Sequence, residues 1–447
     1  MINVLVFPCA SGVGQEIYNA LTFHKDIRVY GANSGTINPG SVLFGDSYIG
    51  NAPPMIQGDV CIEWINAVTK MYTIDCIFPA YDDAQVWLKA NETKFNGVRV
   101  VTSSIETTYV CRSKKRTYEL LSNVVRCPML YESVEKVPTY PVFIKPECGE
   151  GSKGCSIVGS KEELTMTLRT DHIICEYLPG EEYTVDCFSD STGSLLFVGP
   201  RIRSLTRAGI SILTESVSDT DDEFYTMAKK INERISFIGA WFFQVKRTRT
   251  GDLGLMEIAP RIAGAMFLYR EQGVNFPLLS IYAHMGYPIQ ITSPRLQSVV
   301  GCKLYRNYFH IPGLLDNPIV ALYVDLDDTL LLPTLKRANP SIISLLYESN
   351  RLDIPVFLLT RHKGNVCETL DTACIHKSLF KEIIHITNAD ETKKDHIVNR
   401  PALFIDDSFS ERNHCAEDDI YVLDVDSYEL ARDCIRASYS RFRSTHE

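Results

Sequence analysis

Apolar and polar positions along the first hundred residues fall into short runs separated by turn residues. Ile2-Asn-Val-Leu-Val-Phe-Pro8 reads as a strand, and Ser11-Gly12-Val13-Gly14-Gln15-Glu16 opens a helix through about Leu21. Arg28–Gly31 is a second strand, Asp59–Val68 a helix, and Asp75–Pro79 and Val98–Thr102 two more strands. Strands alternating with helical patterns predict a parallel, doubly wound α/β unit. The Gly12-Val13-Gly14 turn suits a dinucleotide site in part. However, Ile17 stands where the third glycine belongs and no acidic residue is placed for a ribose, so nicotinamide binding is disfavoured.

Further along, Val142-Phe-Ile144 is a short apolar strand that ends on Lys145 and Pro146, followed by the glycine-rich turn Gly149–Gly154 and the strand Cys155–Val158. Three glycines in six positions let backbone N–H groups approach a ligand, and the lysine adds a positive charge. The set suits a polyphosphate; an ordinary hairpin with a surface lysine is the competing reading. Ile173–Asp186 reads as strand, turn, strand, with Glu176, Tyr177 and Leu178 on the connecting segment and Glu182 at the start of the second strand. Trp241–Val245 and Gly254–Arg261 flank a polar turn, which puts Gln244 and Glu257 on adjacent strands where both can reach one Mg2+. Arg201, Arg203 and Arg207 are closely spaced, and paired guanidiniums on one strand face suit a carboxylate or phosphate. Surface arginines on a ribbon are the alternative.

This ordered set resembles the ATP-grasp superfamily, in particular its carboxylate–amine ligases with an ATP-binding domain like that of carbamoyl-phosphate synthetase, over roughly the first 300 residues. The resemblance implies a Rossmann-like pre-ATP-grasp domain at 1–105 and an ATP-grasp α+β domain at 106–301. It implies ATP and Mg2+ as cofactors, and small-molecule carboxylate and amine substrates. It places Lys145 at the ATP phosphates below the loop of Gly151 and Ser152. Glu176, Tyr177 and Leu178 fall at the adenine edge, Glu182 near the ribose, Gln244 and Glu257 on the metal, and Arg261 in the catalytic alignment. Lys114, at the start of a helix expected over Thr117–Asn123, falls where the family has a phosphate-reaching lysine; Lys115 is one step away, and Ser113 replaces the usual aspartate. The family's Glu-x-Asn-Pro-Arg appears as Glu257-Ile-Ala259-Pro-Arg261, and alanine cannot ligate a metal.

A second chemistry follows a connector at 302–317. Ile319–Val324 is an apolar strand that ends in Asp325-x-Asp327-x-Thr329. Val356–Leu359 ends on Thr360, Lys393 and Lys394 open a helix, and Ala402–Ile405 ends on Asp406 and Asp407. Acids at strand ends stand above a parallel sheet, the usual place for a site in such folds. The four parts together resemble the haloacid dehalogenase (HAD) superfamily of phosphatases over 318–447. The resemblance implies a capless, doubly wound domain acting on a phosphorylated substrate. Asp325 would be the nucleophile and Asp327 the general acid and base. Thr360 and Lys393 would neutralise the phosphate. Asp325, Asp406, the Asp327 carbonyl and Asp407 would hold Mg2+.

Composition narrows the rest. A chain of 447 residues predicts two to four domains. A net charge of −10 argues against nucleic-acid binding, which needs clustered cations. No apolar run reaches the roughly 18 residues of a membrane span, and the first residues lack the basic start of a secretory signal. Fourteen cysteines without a C-x-x-C pair read as reduced thiols in a cytoplasmic protein. A homo-oligomer is compatible with all of this but carries no motif. The expectation is therefore a ligase fused to a phosphatase. The alternative is a weakened nucleotide-binding sensor, marked by Ala259, that regulates the C-terminal enzyme or effector.

Overall fold

The computed structural model describes all residues except 36, 37, 45, 46, 150, 208, 293, 295, 297, 304–306, 311–316, 334–336 and 445–447. Four sheets make up the architecture.

The first sheet is parallel, in the order β3-β2-β1-β4-β5, from β1 (Ile2–Phe7), β2 (Ile27–Ala32), β3 (Tyr48–Ile49), β4 (Cys76–Pro79) and β5 (Arg99–Val100). The alternating strand and helix pattern produces the expected doubly wound unit, with core residues on both faces of β1. Ser11 caps the helix Gly12–Leu21 by accepting from the Gly14 N–H at 3.0 Å. Gly14 is required for packing, because a Cβ there would meet the Cys9 carbonyl oxygen at 2.1 Å. The Gly12 and Gly264 carbonyls both accept from Lys303 Nζ, at 3.1 and 2.9 Å. The glycine turn is thus used for contact between domains.

Two antiparallel sheets follow. The smaller is β6-β9-β7-β8, from β6 (Leu130–Tyr131), β7 (Val142–Pro146), β8 (Ser156–Val158) and β9 (His172–Glu176). The larger has seven strands in the order β14-β13-β10-β11-β12-β15-β16. These are β10 (Glu182–Ser189), β11 (Leu195–Arg207), β12 (Ile210–Ser216), β13 (Gly239–Arg247), β14 (Leu253–Ala259), β15 (Val300–Lys303) and β16 (Asn307–His310). The central strand β10 is buried nearly throughout because its two faces serve different cores. Phe188 and Phe242 pack towards the first domain, while Val185, Trp241 and Phe243 pack under the helix Glu223–Arg234. Phe237 stacks on Trp241 with ring centroids 4.0 Å apart.

The stretch read as a connector at 302–317 instead includes β15 and β16, which extend the large sheet by two strands. Strands of four residues leave too little periodicity to be recognised. Residues 304–306 and 311–316 of that stretch lie outside the described residues. From Phe267 onward the chain forms two helices, Phe267–Arg270 and Phe276–His284, separated at Gly273.

The fourth sheet is parallel, in the order β19-β18-β17-β20-β21, from β17 (Ala321–Val324), β18 (Val356–Thr360), β19 (Glu382–His385), β20 (Ala402–Ile405) and β21 (Ile420–Leu423). The chain from Asp327 to Thr360 holds the helix Pro340–Arg351, and that from Thr360 to Lys393 holds the helix Val366–Thr372 and β19. Neither has room for a separate cap domain. Among the described residues, no helix is long and apolar enough to cross a membrane, and all fourteen cysteines are free thiols.

Candidate functional sites

The first site lies between the two antiparallel sheets, in a cleft of about 430 Å3. Lys145, next to last in β7, is 4% exposed; its Nζ donates to Tyr118 Oη at 2.7 Å and to the Met256 carbonyl at 3.2 Å. β13 and β14 pair with Gln244 directly opposite Glu257. Their side-chain oxygens are hard donors suited to Mg2+. Glu182, at the start of β10, forms an ion pair with Arg203 at 3.2 Å. Lys114 Nζ donates to the Gly149 carbonyl at 3.1 Å and lies 3.8 Å from Glu257. Lys114, Lys145, Gly151, Ser152, Glu182, Gln244 and Glu257 all line this one cleft.

Lys114 rather than Lys115 enters it. The helix spans Lys114–Leu121, three residues earlier than the pattern implied, because Ser113 caps it by accepting from the Arg116 N–H. Lys115 is therefore turned to solvent. The loop over the cleft has Gly151 and Ser152 at positive φ, 61° and 55°. It rests on Gly209 of the β11–β12 hairpin, where a Cβ would meet the Gly151 carbonyl carbon at 2.4 Å. Residue 150 lies outside the described residues.

Among the described residues, five cationic side chains line the cleft, namely Lys114, Lys145, Lys153, Arg203 and Lys246, against two carboxylates, Glu182 and Glu257. Burial pulls the Arg203 guanidinium below its ordinary value even with Glu182 beside it. Such a surplus of charge suits a polyanion.

Other sequence expectations have different surroundings. The Glu176 carboxylate turns away from the cleft to Arg126 and the Met129 N–H. Leu178 is buried against β14, and Tyr177 touches the cleft only through Lys246, whose Nζ lies 5.9 Å from its ring centroid. Arg201 is not available to a ligand. It is 2% exposed and makes a two-pronged contact with buried Asp186, at 2.7 and 3.2 Å. Arg261 pairs with Asp82 of the first domain, in a smaller hollow that shares Lys114, Gly149 and Glu257 with the cleft. Ala259 lines that hollow too. Arg203 was anticipated as one of three closely spaced arginines and does line the cleft, whereas Lys246 and the Tyr118 hydroxyl were missed and had no local signal in the sequence.

The second site lies above the C-terminal ends of β17, β18 and β20. Asp325, Asp406 and Asp407 each present a carboxylate oxygen within 4.8 Å of the others. Lys393 opens a short 3-10 turn, Lys393–His396, and its Nζ donates to Asp325 Oδ1 at 2.7 Å and Asp406 Oδ2 at 2.6 Å. Burial, with Asp406 adjacent, raises Asp325 above the usual carboxylate range although Lys393 opposes it. Burial would lower Lys393, but Asp325 and Asp406 more than offset this and raise it. Lys25 of the first domain also reaches in, 2.9 Å from Asp328 and 3.5 Å from Asp407. Three clustered acids, with Lys393 as their buried counter-charge, form a hard-oxygen group that fits a divalent cation.

Thr360 ends β18 at 1% exposure, and its hydroxyl accepts from the His362 N–H. The Asp327 carboxylate stands outside the acid cluster, half exposed and 2.9 Å from His362 Nδ1. Any metal role for it would fall to its backbone carbonyl. His362 and Lys25 were not anticipated. His362 follows Thr360 by two positions, a faint signal; Lys25 is 303 residues from Asp328 and gave none.

Comparisons with known proteins concern the part of the chain that holds the first of these sites. A family described as "ATP-grasp in the biosynthetic pathway with Ter operon" matches residues 169–301. A D-alanine–D-alanine ligase from Fusobacterium nucleatum is 28% identical over 150 residues, which is 32% of this chain. The chain spans about half the length of that curated relative. Among solved structures, a Campylobacter jejuni biotin carboxylase complex with beta-gamma-ATP has a TM-score of 0.55 at 18% identity, covering 67% of this chain and 75% of that one. The biotin carboxylase domain of Hydrogenobacter thermophilus 2-oxoglutarate carboxylase, with MgADP and bicarbonate, gives 0.56 at 17%, covering 67% and 74%. An L-amino acid ligase from Bacillus licheniformis gives 0.54 at 15%, covering 68% and 79%. Residues 169–301 thus match an ATP-grasp family model, and the chain has a mixed α/β, ATP-grasp-like fold.

Proposed function

We propose that the N-terminal two-thirds is an ATP-dependent carboxylate–amine ligase and that the C-terminal domain is a Mg2+-dependent phosphohydrolase of the HAD kind. The convergence of Lys114, Lys145, Glu182, Gln244 and Glu257 on one cleft with excess positive charge supports the ligase reading most directly. A carboxylate oxygen attacks the γ-phosphorus of ATP, and the bond to the β–γ bridging oxygen breaks to release ADP. The amine nitrogen then attacks the acyl carbon, orthophosphate leaves, and the nitrogen loses a proton. Lys145 and Lys114 neutralise the phosphates, Glu182 accepts from the ribose hydroxyls, and Arg261 steadies the acceptor side. Tyr177 and Leu178 border the adenine. Gln244 and Glu257 would hold Mg2+, which supplies charge neutralisation to the triphosphate.

In the C-terminal domain, Asp325 attacks the phosphorus of a phosphate ester while Asp327 protonates the departing oxygen. Asp327 then takes a proton from the water that releases phosphate from Asp325. Lys393 and Thr360 offset the charge of the transferring group. Asp325, Asp406, Asp407 and the Asp327 carbonyl would hold Mg2+, which screens the approach of one anion to another.

The test mixes the full chain with ATP, Mg2+ and libraries of carboxylates and amines, and follows ADP. An active pair should appear, and Lys145→Ala should reduce turnover about 10²–10³-fold, as for loss of one preorganised charge. Unchanged ADP release in that variant contradicts the assignment. Ala259 favours a second reading, a nucleotide sensor coupled to the phosphatase. Tight ATP binding with no ADP formed for any acceptor would select it.

A further inference from the structure

A cavity of about 480 Å3 lies between the first and last domains, apart from the ATP cleft. One end reaches Asp407 and Asp328, so it opens onto the acid cluster. The first domain contributes Phe23, His24 and Lys25. The helix Phe276–His284 contributes Leu278, Leu279 and Tyr282, and the segment after it Ile289 and Ile291. Phe409 closes the wall from the C-terminal domain.

Most polar groups at the far end are already satisfied. Asp426 accepts from Asn275 Nδ2 at 2.7 Å and lies 3.9 Å from His24, and Asp424 pairs with Arg412 at 2.7 Å. What is left for a ligand is a largely apolar, partly aromatic wall with Asp26, Gln290 and Thr292 among its lining, together with Lys25, half exposed at the junction with the acids. The volume falls in the roughly 300–1,000 Å3 range of small-molecule sites. Among the described residues the C-terminal domain has no cap domain of its own, and its apolar share of the wall includes Pro333 and Phe409, so most of the grip on the organic part of a substrate would come from outside that domain.

We propose that this cavity is the leaving-group site of the aspartate centre, with the roof supplied by the first domain and the helix Phe276–His284. This rests on the phosphatase reading above. The substrate class is then a phosphate monoester whose alcohol portion is apolar or aromatic and of medium size. Its phosphorus bonds to Asp325, its P–O bond to the alcohol breaks, and the alcohol oxygen leaves into the cavity with a proton from Asp327.

The experiment uses the full-length protein with Mg2+ and two probes, 1-naphthyl phosphate and acetyl phosphate. The second is too small to need the cavity. Half-buried Leu279→Trp fills the cavity and Tyr282→Ala enlarges it. Leu279→Trp should lower kcat/KM for naphthyl phosphate at least tenfold and leave acetyl phosphate within twofold; Tyr282→Ala should change KM for naphthyl phosphate alone. Equal loss on both probes, or no change on either in both variants, overturns the cavity's role. A wild-type protein that hydrolyses acetyl but not naphthyl phosphate overturns it while sparing the phosphatase reading. If neither probe is turned over beyond the Asp325→Asn background, the phosphatase reading fails and the proposal with it.

Discussion

The ATP-grasp cleft and the aspartate centre face opposite electrostatic problems. Among the described residues, the first sets five cations against two carboxylates across antiparallel strands. The second gathers three carboxylates above a parallel sheet and answers them with one buried lysine, Lys393, and one at the rim, Lys25. An excess of cations suits a polyanion, whereas clustered acids suit a divalent cation. The backbone follows the chemistry. A glycine loop and hairpin can close down over a nucleotide, while strand ends hold carboxylates in fixed register.

This contrast can be broken in three ways, from the largest effect to the smallest. Asp325→Asn should abolish aryl phosphate hydrolysis, a loss of at least about 10³-fold for a missing nucleophile, with ADP release by the cleft unchanged; a parallel fall in both would mean one shared centre. Arg270→Met acts between the two. Arg270 is 2% exposed, pairs with Glu16 of the first domain at 2.7 Å and Glu271 at 2.8 Å, and reaches the Asp426 carbonyl. Its removal leaves buried carboxylates uncompensated, and a loss of about 3–5 kcal/mol in urea unfolding is expected. Both activities should then fall together on warming. Insensitivity of both would show that the domains fold without this cluster.

The third and smallest test is a pH dependence. Burial pushes Glu271 up from 4.5 to about 8, and Arg270 only partly opposes this. Folding therefore favours protonated Glu271. The stability this contributes is complete below the ordinary glutamate value and is lost as pH rises through about 8. Glu271→Gln should flatten the decline between pH 5 and pH 8, raising the melting temperature at the upper end by about 2–4 °C. An unaltered slope would place the titration elsewhere.

Much of the cleft was legible because its parts sit in short strand–turn units. Lys145 ends an apolar run, Glu182 begins one, and Gln244 and Glu257 flank a polar turn that sets their register. The acids of the second centre were legible for the same reason, each closing a run of apolar residues. What escaped depends on distant segments. Arg126 claims Glu176 from 50 residues away, Tyr118 meets Lys145 from 27, and Asp186 removes Arg201 from the surface. Strands β15 and β16 were hidden because four-residue strands give almost no period to detect.

Ala265, Phe267, Leu268 and Val299 belong by sequence to the ATP-grasp part, yet they share one buried core with β17, β18 and β20. The seam between genes that fusion would leave is therefore not a seam in the molecule. A cut placed at the apparent connector divides a single hydrophobic interior, so separately expressed halves should associate or precipitate rather than behave as two enzymes.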